Sequence, residues 1–187
     1  MERVMSSFVM VWLLVLIMHP LLRDVYASND EADALIAFKK QLSLDPDDIS
    51  QVLDWGVGDD PCVWTCGCKW ACITCTDNVV TKLDLGGLNI TGSLVPELGN
   101  LKNLQHMHLD NNQLSGSIPA DLGNLASLES LNLYNNLLTG SIPKELAYLR
   151  NLQYLRLQNN QLKGNVPKAL ENVIPKIHVV WILEKTI

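Results

Sequence analysis

All five cysteines of the 187-residue chain fall between Cys62 and Cys75, in the stretch CVWTCGCKWACITC. Thiols at that density can bind a metal, carry redox chemistry or staple a fold. A zinc knuckle pairs two C-x-x-C units or adds histidines, and here only Cys72 and Cys75 have that spacing. A redox C-x-x-C of the thioredoxin kind sits in a βαβ unit, which the flanking pattern lacks. A second group is HMHLD, where His106, His108 and Asp110 alternate and would project to one side of a strand. Such a row suits metal binding or a pH-sensitive contact. Exposed strand residues without either role are commoner, so no metal set is assigned. No Ser/His/Asp or Cys/His arrangement with an oriented base is legible, nor any glycine-rich phosphate loop. Neither an enzyme nor a cofactor is expected.

The N-terminus bears on which cysteine chemistry applies. MERVMSSFVMVWLLVLIMHPLLRDVYASND places Arg3 before an apolar run from Phe8 to Met18. Eleven residues suit the core of a signal peptide and fall short of the roughly 20 needed to span a bilayer. Pro20 breaks the run, and Val25 and Ala27 put small residues at the −3 and −1 places of a cleavage site. The expectation is a signal peptide over 1–27, cleaved after Ala27, and an extracellular chain with no stable membrane insertion. An uncleaved anchor extended through Leu21 and Leu22 is the alternative. An oxidising compartment favours disulfides. A net charge of −6 with no basic run excludes nucleic acid as a partner.

The elements that carry these residues follow from a repeat. From Val80 the chain reads VTKLDLGGLNITGSLVPELGNLKN, LQHMHLDNNQLSGSIPADLGNLAS, LESLNLYNNLLTGSIPKELAYLRN and LQYLRLQNNQLKGNVPKALENVIP. Leu83, Met107, Leu131 and Leu155 share one position, and Leu85, Leu109, Leu133 and Leu157 another. Asn112, Asn136 and Asn160 recur, as do Gly92, Gly116, Gly140 and Gly164. Four 24-residue units over 80–175 make a solenoid in which each turn covers its neighbour's apolar face. The L-x-L pair alternates as a short strand does, so stacked units form a parallel sheet on the concave side. The recurrent Asn can satisfy backbone groups that the bend leaves unpaired. Pro119, Pro143 and Pro167 remove a donor on the convex side, where short 3-10 or irregular segments need no continuous ladder.

The L-x-G-x-I-P form resembles the plant extracellular class of leucine-rich repeats. DEADALIAFKKQLSLDPDDISQVLDW resembles that class's helical N-terminal cap, with Leu35, Phe38 and Leu42 at helical spacing and Asp30 as its N-cap. LDLGGLNITGSLVPELGNLKNLQHMHL and LNLYNNLLTGSIPKEL are similar to the ectodomain of somatic embryogenesis receptor kinases and their short secreted, kinase-less relatives. The resemblance covers roughly 29–173. It implies a leucine-rich-repeat solenoid, a right-handed α/β superhelix with a disulfide-closed cap over 28–79 and a divergent tail over 176–187. The family cap's C-x-W-x-x-[VI]-T-C is matched by CKWACITC, from Cys68 to Cys75. Cys62, after Pro61, resembles the family's first cysteine, so Cys75 pairs with either Cys68 or Cys62. The odd total leaves at least one thiol unpaired, or pairing between chains.

Past Val173 the chain departs from the pattern with IPKIHVVWILEKTI. Counting 24 from Leu155 and Leu157 lands on Val179 and Trp181, so a last strand over about 177–183 is expected. The resemblance places function on the concave face, where relatives contact a partner receptor and its ligand. Tyr134, Tyr154 and Arg156 are residue types found there, and His106, His108 and Asp110 stand where relatives carry an aromatic–acid–aromatic series. The NIT at Asn89 is an N-glycosylation acceptor that would mark its flank as outside the binding face. The expected function is a secreted protein-binding module in cell-surface signalling, a soluble partner or decoy of receptor-kinase ectodomains or other extracellular proteins. The alternatives are an inhibitor of a fungal cell-wall hydrolase, resembling polygalacturonase-inhibiting proteins, and a truncated fragment without function.

Overall fold

The computed structural model describes residues 30–43, 61–62, 72–171 and 178–180. The expected signal segment, Cys68, Trp181 and the outer ends of the expected last strand lie outside the described residues. Helix α1 (Asp30–Gln41) buries Leu35 and Phe38 completely. It carries Asp30, Glu31 and Asp33 in its first turn and Lys39 and Lys40 in its last, a charge order that complements the helix dipole. Asp30 is therefore the first helical residue and not the cap that spacing suggested. Glu31 Oε2 accepts the Val80 N–H at 2.9 Å and ties the helix to the first sheet.

Strands β1 (Ile73–Thr76) and β2 (Val79–Asp84) form an antiparallel hairpin. Its two-residue turn has Asp77 at φ 52° and Asn78 at φ 62°, as a type I′ turn requires. From β2 onward the sheet is parallel, through β4 (His106–His108), β6 (Ser130–Asn132), β8 (Tyr154–Arg156) and β9 (His178–Val180). Partners lie one repeat apart: Leu83 pairs with Met107, Met107 with Leu131, Leu131 with Leu155, and Leu155 with Val179. The Val179 pairing is the one the 24-residue count expected. Leu83, Met107, Leu131 and Leu155 are all fully buried. Each such side chain contributes roughly 1.5–3 kcal/mol by leaving water.

A second parallel sheet, β3 (Thr91–Ser93), β5 (Gln113–Ser117) and β7 (Leu137–Thr139), lies along the flank. Sequence reading placed a ladder on the concave side alone. When near-identical turns stack in register, any extended segment meets its own copy, so the stretch before each recurrent Gly also gains a parallel partner. The Gln161 N–H donates to the Leu138 carbonyl at 2.7 Å and carries the pairing into the fourth repeat. The convex side holds 3-10 helices at Pro96–Asn100, Ala120–Asn124 and Lys144–Tyr148, and the short helix α2 (Lys168–Glu171) in the fourth repeat. Leu98, Leu122, Leu146 and Leu170 point inward from these segments, one per repeat.

Two asparagine rows close the bends. Asn112 and Asn136 are buried, and Asn136 Nδ2 donates to the carbonyls of Leu109 at 2.9 Å and Leu133 at 3.2 Å. Its Oδ1 accepts the Leu114 N–H at 2.9 Å. The residues just before them, Asn111, Asn135 and Asn159, each take φ 55°, a conformation asparagine adopts more readily than branched residues. Asn135 Nδ2 donates to Asn111 Oδ1 at 2.7 Å, and Asn159 Nδ2 to Asn135 Oδ1 at 2.6 Å.

Candidate functional site

The parallel register sets the concave face in rows. Lys82, His106, Ser130 and Tyr154 are consecutive partners, and Asp84, His108, Asn132 and Arg156 form the next row. His106, His108, Ser130, Asn132, Tyr154 and Arg156 line an open depression of about 260 Å³ across β4, β6 and β8. Tyr154 is 41% exposed, a large aromatic surface that packing leaves uncovered. The structure thus brings Tyr154, Arg156, His106 and His108 together. Asp110 and Tyr134 do not line the depression. Both are engaged by Asn111, whose Nδ2 donates to Asp110 Oδ2 at 2.8 Å and to the Tyr134 hydroxyl at 3.2 Å.

Ser130 and Asn132 line the depression although residue type alone did not single them out; their place in the rows is the signal that finds them. Asn132 Oδ1 is buried without a hydrogen-bond partner. The Arg156 side chain makes no hydrogen bond or ion pair among the described residues.

Sequence reading found no Ser/His/Asp arrangement, yet the fold aligns one. His108 Nε2 lies 3.3 Å from Ser130 Oγ, and His108 Nδ1 lies 4.0 Å from Asp84 Oδ2. The geometry is that of a packed polar chain and not of an activated nucleophile. Ser130 is only 6% exposed, and the carboxylate turns to the Lys82 ammonium at 2.6 Å. Burial would raise the Asp84 carboxyl, but the Lys82 hydrogen bond and charge, His108 and the Gly86 N–H together hold it below its usual range. The His108 imidazole is lowered, first by burial and then by Lys82 and His106, against the opposing pull of Asp84 and Asp110. It is therefore neutral near pH 7, with its Nε2 paired to the Ser130 hydroxyl. Among the described residues no three His, Cys, Asp or Glu side chains are grouped to hold a metal ion.

Of the two partners left open for Cys75, the structure joins it to Cys62, with Cα atoms 5.6 Å apart. Cys72 keeps a free, half-buried thiol, raised by burial and secondarily by Asp84. Asn89 is exposed, at the bend that precedes β3, and its Oδ1 accepts from Gln113 Nε2 at 2.5 Å. It lies outside the concave strands. No helix among the described residues is long and apolar enough to cross a membrane.

Two family models match the chain: a leucine rich repeat N-terminal domain over residues 28–76 and a leucine rich repeat over residues 102–162. Leucine-rich repeat protein 1 of Oryza sativa subsp. indica is 46% identical over 83 residues, 44% of this chain and 35% of its own length. The chain thus matches about a third of the length of that relative. The solved structure of PEPR1-AtPEP1 superposes with a TM-score of 0.68 at 33% identity, over 76% of this chain and 19% of that one. The ectodomain of the receptor kinase GASSHO1/SCHENGEN3 from Arabidopsis thaliana, solved in complex with CASPARIAN STRIP INTEGRITY FACTOR 2, gives 0.64 at 36% identity, over 78% and 17%. The chain thus carries a leucine-rich-repeat N-terminal domain and leucine-rich repeats wound as a solenoid, and its homologues are plant leucine-rich repeat proteins and receptor-kinase ectodomains.

Proposed function

We propose that this chain is a secreted protein-binding module that engages the ectodomain of a receptor kinase, or its peptide ligand, through the concave face. The observation that carries the reading is Tyr154, 41% exposed at the mouth of a depression beside Arg156, whose side chain has no hydrogen-bond or ion-pair partner among the described residues. Tyrosine and arginine dominate interface energetics because each combines large contact area with directional hydrogen bonding. The likeness to ectodomains, one of them solved in complex with CASPARIAN STRIP INTEGRITY FACTOR 2, supports the same partner class. Secretion follows from the signal peptide expected over 1–27 and suits the Cys62–Cys75 disulfide. A glycan on Asn89 would leave the concave strands uncovered.

The test is a biosensor panel of receptor-kinase ectodomains, with a fungal polygalacturonase included to address the inhibitor alternative. The expected result is saturable binding to at least one ectodomain. Tyr154→Ala and Arg156→Ala should each weaken it about tenfold or more, and the convex-face variant Tyr148→Ala should leave it unchanged. Binding to no ectodomain, or equal sensitivity to the convex variant, overturns the proposal. Capture of the polygalacturonase alone assigns the chain to inhibition.

A further inference from the structure

We infer that Asp110, Tyr134 and the bare backbone at Gly86 form a notch on the concave face that takes an arginine side chain of the partner. The inference rests on the concave-face reading above and names the chemistry that the face recognises. Gly86, Asp110, Tyr134 and Gln158 occupy one position of the four repeats, two residues beyond the row of Asp84, His108, Asn132 and Arg156. Backbone hydrogen bonds fix their order in the stack: the Gly87 N–H donates to Asp110 O at 2.9 Å, and the Asn111 N–H to Tyr134 O at 3.0 Å. Asn111 Nδ2 gives its two protons to Asp110 Oδ2 and the Tyr134 hydroxyl oxygen, at 2.8 and 3.2 Å, and so holds carboxylate and phenol side by side. Both carboxylate oxygens of Asp110 face Gly86, where a Cβ would lie 3.4 Å from Oδ1 and 3.5 Å from Oδ2. Repeats two to four carry a side chain at this position and repeat one carries none, so the opening lies against the anionic oxygens.

Two carboxylate oxygens presented together to unfilled space suit a planar pair of donors. A guanidinium supplies that pair through two parallel charge-assisted hydrogen bonds, and its flat face can cover the half-buried Tyr134 ring. A lysine ammonium brings the charge without the fork or the flat face. A metal ion lacks a ligand set, since among the described residues no three His, Cys, Asp or Glu side chains are grouped. Among the same residues the chain supplies no cation of its own to the notch. The stack neighbours Gly86, Gly87, Tyr134 and Asn135 are uncharged, and Lys82 is bound to Asp84 at 2.6 Å. His108, two residues before Asp110, is paired with Ser130 at 3.3 Å. A net charge of −6 on the whole chain favours the approach of a basic partner over an acidic one.

The experiment is an NMR titration of the intact chain with N-acetylarginine amide, N-acetyllysine amide and the neutral isostere N-acetylcitrulline amide. The arginine compound should bind saturably and shift the amides of Gly86, Gly87 and Asn111. The lysine compound should bind at least about threefold more weakly, and the citrulline compound should not bind. Asp110→Asn keeps an acceptor for Asn111 but removes the charge, so it should abolish binding. Gly86→Val fills the notch at a residue whose φ is not positive, and should do the same. Tyr134→Leu should weaken binding about threefold, and Tyr148→Leu should change nothing. Thermal unfolding midpoints of all variants separate a lost site from a lost fold. A clearly lowered midpoint in Asp110→Asn would show that the carboxylate is already paired within the chain, and overturns the inference. So do absence of arginine binding at high millimolar concentration, equal binding of the lysine or citrulline compound, and undiminished binding by Asp110→Asn. On the ectodomain panel, Asp110→Asn should weaken capture about tenfold. Ectodomain capture that Asp110→Asn leaves unchanged removes this inference alone. Arginine binding at the notch without capture of any ectodomain removes the protein-partner reading alone.

Discussion

The side-chain nitrogen of Asn136 lies 2.9 Å from the carbonyl oxygen of Leu109, twenty-seven residues earlier in the chain. One buried amide thereby stitches adjacent repeats, since its oxygen also holds the Leu114 N–H at 2.9 Å. Replacing Asn136 with Ala removes the acceptor of the buried Leu114 N–H, while the Leu109 and Leu133 carbonyls keep Asn112 Nδ2 at 3.1 Å and Asn160 Nδ2 at 2.9 Å. The expected cost is about 1–3 kcal/mol, the penalty for one buried donor left unsatisfied. Asn160→Ala, at a half-buried position near the fourth repeat's bend, should cost less. Urea unfolding of the two variants checks the order, and equal losses would contradict it.

Gly92 carries the joint between cap and repeats. Its φ is 126°, and a Cβ there would collide with the Gln41 carbonyl at the end of α1. Alongside it, the Thr91 N–H donates to Ser43 O at 3.1 Å and the Ser43 N–H donates to Thr91 O at 2.9 Å. Gly92→Ala should destabilise by about 2 kcal/mol or more through backbone strain and displacement. Hydrogen exchange locates the damage. Amides of α1 should lose protection while those of β6 and β8 keep it. Uniform loss would mean that cap and repeats open as one unit.

The Cys62–Cys75 disulfide closes a loop of 13 residues of sequence separation. Replacing both cysteines with serine should cost about 2–4 kcal/mol, chiefly by freeing the unfolded chain. Cys72 reads out separately. Burial and Asp84 raise its thiol, so the folded protein should alkylate at Cys72 more slowly at pH 7.5 than a reduced peptide of the same sequence. Peptide mapping after timed alkylation measures this, and equal rates would refute the shift.

His108 gives a signed pH prediction. Its folded-state imidazole is lowered from 6.5, so over the interval below that value the unfolded chain binds the proton more readily. The stability His108 contributes is present above about pH 6.5 and is lost as the pH falls through the folded value. Lys82→Met should raise the His108 titration midpoint seen by NMR, and Asp84→Asn should lower it further. A shift of the opposite sign in either variant would show that a different neighbour sets the imidazole.

The spacing of Leu83, Met107, Leu131 and Leu155 told which side chains look inward, because a 24-residue period leaves one stacking register that buries them all. The same arithmetic sets Tyr154 one period from Ser130 and Arg156 one period from Asn132, and these are the pairs the sheet makes. What no period contains is contact between rows. The chain from Asp84 through His108 to Ser130 depends on rotamers chosen in three repeats at once, and Asp110 and Tyr134 were drawn from the depression by the neighbouring Asn111. The partner of Cys75 depends on the path of the loop before it, which spacing alone does not determine. The flank sheet through Thr91, Gln113 and Leu137 was missed for a different reason. Its strands are only three to five residues long, too short for their pattern to signal pairing that arises from the stacking of like upon like.

Each repeat grips only its immediate neighbours, so the coil has the mechanics of a spring, stiff against stretching along a strand and compliant in bending between turns. The depression is built from three successive turns, at His106, Ser130 and Tyr154. Whatever fills it lies across the winding direction and acts as a splint. Occupancy would be felt as lost curvature fluctuation over the whole stack, including surfaces that the occupant never touches.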